Sequence, residues 1–168
     1  MAEPIWKSRP GEMFSAALGT EPINDFIHLS EGLSNSFLIT TDEGNIVINT
    51  GMAFESPYHK ANYDALSDGP IKYIILTQGH VDHVGGVDFI RDETTQLIAQ
   101  SGNVEHQAYD RRLARFRGSR SAFAFIKKNG ASVRQAQADF GELPPQAIPT
   151  PDITFDERYE FMLGGRRV

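Results

Sequence analysis

The stretch Leu76-Thr77-Gln78-Gly79-His80-Val81-Asp82-His83-Val84-Gly85-Gly86 decides how this chain reads. It grows out of Ile71-Lys72-Tyr73-Ile74-Ile75-Leu76, a short β-branched run whose near-continuous hydrophobicity suits a central strand covered on both faces. It leads through the glycine pair into a short helix expected near residues 87–91. Two imidazoles and a carboxylate within four residues therefore share one tight loop at a sheet edge. These are the donors that hold zinc or iron without thiolate, and the chain has no cysteine. One loop rarely fills four coordination positions, so the pattern predicts a divalent cation completed by ligands from elsewhere, with a position left for water. Water on such an ion ionises near a pKa of about 7, which makes hydrolysis the natural chemistry. The competing reading is plainer: Asp82 caps a helix and the histidines are ordinary polar loop residues.

Working outward, the segment from Asp25 to Gly51 is all strand: Phe26-Ile27-His28, Ser36-Phe37-Leu38-Ile39-Thr40 and Asn45-Ile46-Val47-Ile48-Asn49, with a turn at Asp42-Glu43-Gly44. An antiparallel meander is expected. Ser56-Pro57 starts a helix with Tyr58, Ala61, Ala65 and Leu66 on one face, and Gly69-Pro70 ends it. A strand at residues 95–99 completes a strand–helix–strand unit, so parallel pairing follows. Residues 103–117 read as a helix with Val104, Ala108, Tyr109, Leu113 and Phe116 inward. A second helix from Ser121 is expected to break at Asn129-Gly130 and resume to about Asp139. Four prolines make residues 143–151 an extended connector. Short strand pairs follow at residues 153–155 and 159–163. His28, His59 and His106 read as surface residues, and Phe123, Phe125 and Ile126 as core.

The 168 residues, 18.7 kDa, fit one ordinary domain, with residues 1–24 as an N-terminal extension and 25–168 as the domain. With 40% hydrophobic residues, 23% charged residues and a mean hydropathy of -0.35, the chain reads as soluble and globular. No apolar run approaches the roughly 18 residues that span a bilayer, and no signal peptide is visible, so the expectation is a cytoplasmic protein without membrane attachment. A net charge of -6 argues against nucleic acid as a partner. Half of the sixteen basic residues nevertheless fall within residues 111–134, which contain no acid. That segment reads as a solvated positive face, or as an anion-attracting rim should Arg115, Arg117 or Arg120 reach the pocket.

The motif loop resembles that of the metallo-β-lactamase superfamily, Thr-His-x-His-x-Asp-His-x-Gly-Gly, in Thr77, His80, Asp82, His83, Gly85 and Gly86. Upstream, Asn35-Ser36-Phe37-Leu38-Ile39-Thr40 and Ile46-Val47-Ile48-Asn49-Thr50-Gly51 are similar to that family's N-terminal meander. The likeness covers residues from about 25 to 100. Residues 97–104 and Arg117-Gly118-Ser119-Arg120-Ser121-Ala122-Phe123-Ala124-Phe125 resemble, more weakly, the alkylsulfatase-related branch. The resemblance implies an α/β fold, the N-terminal half of an αββα sandwich, with a mixed sheet and flanking helices. It implies His80 as a ligand of a first metal, Asp82 and His83 as ligands of a second, and Asp82 as orienter of the attacking water. The metal would be zinc, one ion or two, with iron and manganese kept open.

Two positions depart from the family pattern. Gln78 stands where the family usually has His, and an amide is a weaker, harder donor, so the first site should lose affinity more than the second. Asn49 stands where many relatives have Asp, which removes a negative charge that would hold the motif loop. The family's remaining ligands belong to the second half of the sandwich, and residues 84–168 offer only His106. The chain thus reads as an N-terminal half, incomplete at its C-terminus, with a sheet face built to be covered. A monomer normally exposes an apolar patch of only about 300–600 Å². The expected cover is a separate C-terminal half or a second copy, as a homodimer. The functional expectation is a metal-dependent hydrolase attacking an ester-type bond in a small molecule, with little turnover by this chain alone. The alternative is a non-catalytic, degenerate half-domain that self-associates through its open sheet.

Overall fold

The computed structural model describes residues 19–168, leaving out the side chains of residues 121–128. Most of the expected N-terminal extension, and the expected core roles of Phe123, Phe125 and Ile126, therefore lie outside the described residues. A seven-stranded mixed sheet runs in the order β1 (Thr20–Pro22), β2 (Ile27–Ser30), β3 (Ser36–Thr41), β4 (Gly44–Ile48), β5 (Ile71–Leu76), β6 (Gln96–Gln100), β7 (Ile153–Phe155). β1 to β4 form the expected antiparallel meander, and β4 to β7 pair in parallel. β1 lies within the stretch read as an extension and adds an edge strand to it. The helices are α1 (Ser56–Leu66), α2 (Val81–Val84), α3 (Val87–Ile90) and α4 (Asn103–Phe140).

Strand alternation divides the apolar residues between the two faces of the sheet. Leu38, Val47, Ile74, Leu76, Leu97 and Ala99 point toward the helices, where they pack with Tyr63, Val84, Val87 and Ile90 into one buried cluster. Cross-strand register places Phe37, Ile39, Ile46, Ile48, Tyr73, Ile75 and Ile98 on the opposite face. There Ile46 and Ile98 are buried, while Phe37, Ile39, Ile48, Tyr73 and Ile75 stay half-buried. None of these side chains is exposed, and the end of the chain covers part of this face. β8 (Met162–Leu163) and β9 (Arg166–Arg167) form a hairpin turned by Gly164 and Gly165 at φ 51° and 73°, backbone geometry that glycine adopts without strain. Phe161 packs on Tyr73 with ring centroids 4.5 Å apart, and the Arg166 guanidinium lies 3.6 Å from the Phe26 ring centroid. The second strand of the expected pair is therefore much shorter than residues 159–163.

Three local expectations fail. α4 runs unbroken through Asn129-Gly130, because glycine costs only about 1 kcal/mol in a helix and no proline forces a stop. α1 turns Ser56, Pro57, His59 and Tyr63 inward and leaves Ala61 and Ala65 exposed, so the buried stripe is rotated from the one expected. In consequence His59 is fully buried, not a surface residue; its Nδ1 lies 2.7 Å from Ser30 Oγ, its ring stacks on Tyr63, and its Nε2 has no partner. His28 is half-buried on β2.

Burial lowers the His59 pKa from 6.5 to about 4. Above pH 6.5 the imidazole is neutral in both folded and unfolded chains and leaves stability unchanged. Below that pH the unfolded chain takes up a proton that the folded chain refuses, so stability falls by about 1.4 kcal/mol per pH unit until about pH 4, roughly 3 kcal/mol in all. Urea midpoints should therefore drop steeply between pH 6.5 and pH 4 in the wild-type chain and less steeply in His59→Asn.

Candidate functional site

The motif loop lies at the carboxyl ends of the parallel strands, where open α/β sheets gather ligand-binding groups. The end of β4 holds it there. Thr50 N–H and Oγ1 both donate to the His83 carbonyl at 2.9 Å, and Gly86 N–H donates to Thr50 Oγ1 at 3.2 Å. Asn49, at φ 58°, accepts from Thr77 N–H at 3.0 Å through Oδ1 and donates to Thr77 Oγ1 at 2.9 Å through Nδ2. Asparagine tolerates that left-handed backbone. The amide thus clasps the loop without the carboxylate that many relatives carry, so the charge is missing and the anchorage is not.

The glycine pair is explained by close approach. A Cβ on Gly86 would stand 2.5 Å from both the Thr50 carbonyl oxygen and Ser56 Cβ. A Cβ on Gly85 would run into the Gln146 amide. Gln146 belongs to the proline-rich connector, and its side chain donates to the Val81 carbonyl at 2.6 Å and accepts from Ala53 N–H at 3.2 Å. Ala147 N–H donates to the Gly85 carbonyl at 3.0 Å. The connector therefore straps the motif helix α2 to the sheet.

Of the four residues expected to hold metal, Asp82 and His83 bring donor atoms together, and Gln78 stands between His83 and His80. Asp82 Oδ2 and His83 Nε2 are 3.6 Å apart, close to the separation of two donors that share one tetrahedral ion with bonds of about 2.0–2.2 Å. Asp82 lies in the first turn of α2, not at its N-cap, which is His80. The Gln78 amide lies between the two histidines, its Oε1 against His80 Nδ1 and its Nε2 2.7 Å from His83 Nε2. Ser34 Oγ donates to Asp82 Oδ2 at 2.6 Å and lies 3.3 Å from His83 Nε2. Burial pulls the His83 pKa below its ordinary value; Asp82 opposes the shift and His80 adds to it, so the ring stays a neutral donor at pH 7. Behind Ser34, the buried Glu55 carboxylate accepts from Leu33 N–H and, at 3.0 Å, from Met52 N–H. Its pKa is raised, chiefly by burial, with the nearby Asp82 charge adding to the effect.

α4 supplies a second group that sequence patterning missed. His106, expected at the helix surface, packs edge-on against His80 with ring centroids 4.4 Å apart, and its Nδ1 is buried without a partner. Asp110, one turn on and only 6% exposed, places Oδ2 3.9 Å from His80 Nε2, and its Oδ1 pairs with Arg117. His80, His106 and Asp110 offer donor atoms that all lie within 4.8 Å of one another, a His/His/Asp group of metal-ligating chemistry. The stripe expected inward is instead largely solvent-facing: Val104, Tyr109 and Phe116 are exposed, while Asn103, Gln107 and Asp110 are buried. The i, i+4 spacing of His106 and Asp110, on a helix that begins where β6 ends, was the available signal. Of the three arginines considered for the pocket, Arg117 reaches the site through Asp110, Arg120 stacks over Phe116, and Arg115 is exposed. A cavity of about 330 Å³ opens beside the loop, lined by Thr77, Gln78, His80, Gln100, Asn103 and His106 among others.

Residues 29–168 match the family model described as the metallo-beta-lactamase superfamily. A Caenorhabditis elegans protein, "Beta-lactamase-like protein 2 homolog", is 37% identical over 62 residues, covering 36% of this chain and 21% of that protein. The crystal structure of the metallo-beta-lactamase GOB-18 from Elizabethkingia meningoseptica superposes with a TM-score of 0.62 and 25% identity, covering 99% of this chain and 54% of that one. The sec-alkyl sulfatase PisA1 gives a TM-score of 0.66 at 21% identity, over 89% of this chain and 26% of the enzyme, a likeness of fold. The chain thus spans about half of the solved beta-lactamase chain and smaller shares of the other two.

Gly86→Ala should destabilise the chain by about 1–3 kcal/mol, because the Thr50 carbonyl and Ser56 cannot yield to a methyl group without loosening the loop. Urea titration of both proteins checks the value.

Proposed function

The chain belongs to the metallo-beta-lactamase superfamily, and from that premise we propose that it is the metal-binding portion of a hydrolase acting on an ester-type bond of a small molecule. The observation that supports this best is the 3.6 Å approach of Asp82 Oδ2 to His83 Nε2. Asp82 and His83 would be ligands of one site, and His80, with Gln78, of another; imidazole, carboxylate and amide donors suit zinc and admit iron or manganese. A divalent cation bound there would supply Lewis acidity and a nucleophile at neutral pH. The residues of this chain do the rest. His80 and His83 would hold the metal, His83 as a neutral donor because burial lowers its pKa. Asp82 accepts a hydrogen bond from the attacking water and aims it, while Ser34 and, behind it, Glu55 fix the Asp82 carboxylate. The cavity beside Gln78 and His80 receives the substrate, which is expected to need walls from outside this chain to exclude water.

One observation favours the second reading, a degenerate half-domain that self-associates through its half-buried sheet face. The Gln78 amide already meets ring nitrogens of both His80 and His83. Elemental analysis separates the two. After dialysis against metal-free buffer the purified chain should retain zinc; Asp82→Asn and His83→Ala should lose it, and Gln78→Ala should lose less. Retention no better than in His83→Ala favours the degenerate reading, which native mass spectrometry would extend by showing a dimer. Turnover of ester and sulfate substrates by the zinc-loaded 168-residue chain should stay near the metal-free control.

A further inference from the structure

We propose that Asp110 is the positioning residue of His80, holding its imidazole in the tautomer that turns the Nδ1 lone pair toward the metal site, with Arg117 steering the carboxylate. The proposal rests on the reading of His80 as a metal ligand. His80 has two ring nitrogens, and α4 and the motif loop address them separately. Nδ1 faces Gln78, on the side of His83 and Asp82. Nε2 faces away from that cluster, 3.9 Å from Asp110 Oδ2. A neutral imidazole carries one N–H and one lone pair, and a carboxylate can only accept. The nitrogen facing Asp110 is therefore the one that keeps the hydrogen, and the lone pair is left on Nδ1. At 3.9 Å the two are not hydrogen-bonded, and the carboxylate acts on the ring as a nearby negative charge that favours the hydrogen on the nitrogen facing it.

Gln78 presents an oxygen to Nδ1 and so competes for the hydrogen. A charged acceptor outranks a neutral amide, and a turn of the amide offers its NH2 to Nδ1 instead. Asp110 itself has little freedom. It is 6% exposed, and Arg117, two turns on along α4, binds Oδ1, leaving Oδ2 aimed at the ring. His106 lies edge-on against the same ring at 4.4 Å and blocks its rotation. The Arg117 guanidinium also explains why this trio suits support better than a second ion, since a cation held by Asp110 would sit beside another positive charge. Carboxylates behind ligating histidines commonly set both tautomer and basicity.

The test uses the 168-residue chain and two readouts. Ring nitrogen NMR of the metal-free protein at about pH 8, above the ordinary histidine range of ~6.5, reports the His80 tautomer. Nε2–H is expected in the wild type, and a shift toward Nδ1–H in Asp110→Asn. Zinc affinity, by competition with a chelating indicator, should fall about 10- to 100-fold in Asp110→Asn. Asp110→Glu should restore part of both, and Arg117→Gln should show smaller changes in the same directions. Should Asp110→Asn fail to fold, Arg117→Gln decides. Wild-type tautomer and affinity in the folded variants overturn the proposal. So does loss of a separate equivalent of zinc from Asp110→Asn with the tautomer unchanged, which would make Asp110 a ligand. A wild-type chain that binds no zinc overturns the ligand reading instead, and the tautomer measurement still judges Asp110.

Discussion

The clasp between the end of β4 and the loop after β5 is the contact on which the rest of the site depends. Two parallel strands end side by side, and Thr50 ties the His83 carbonyl and the Gly86 amide while Asn49 ties Thr77. These bonds satisfy the His83 carbonyl and the Thr77 and Gly86 amides and hold the loop against the end of β4. Each buried bond has a modest net value of about 0.5–1.5 kcal/mol, yet an unmade one would strand a desolvated donor or acceptor. The loop is therefore held in one conformation, and glycine at 86 lets its backbone lie against Thr50. Preorganisation of this kind is what a metal centre needs, because donors displaced by an ångström lose affinity.

Support for the site is built in layers of polar contacts. Glu55 holds Leu33, Leu33 precedes Ser34, and Ser34 holds Asp82. On the other flank Arg117 holds Asp110, which faces His80. From below, Gln146 of the connector ties Val81 to Ala53. Every charged member of these layers has a stated partner. Among the described residues, His59, His83 and His106 carry an unpartnered buried nitrogen, and two of them lie at the site.

α4 shows how a site overrides local rules. Its apolar stripe, Val104, Tyr109 and Phe116, would ordinarily turn inward, but the first turns of the helix face a polar loop. Asn103, His106, Gln107 and Asp110 meet that loop instead, and Gln107 bonds both Asn103 and the Pro149 carbonyl. Conflict between pattern and burial is expected where function dictates the partner.

Strand identity, the meander, parallel pairing across the motif and the approach of Asp82 to His83 were legible in the chain, because alternation and short-range spacing place such groups whatever lies around them. The burial of His59, the inward turn of His106 and Asp110, and the roles of Ser34, Glu55 and Gln146 were not. Each depends on which way an element rotates as it packs, and rotation is settled by partners 22 to 93 residues distant, such as Leu33 for Glu55 and Ala53 for Gln146. Local periodicity carries no trace of such distant contacts, so the ligand-bearing loop was written in the sequence, and its supporting shell was decided only when the sheet brought the strand ends together.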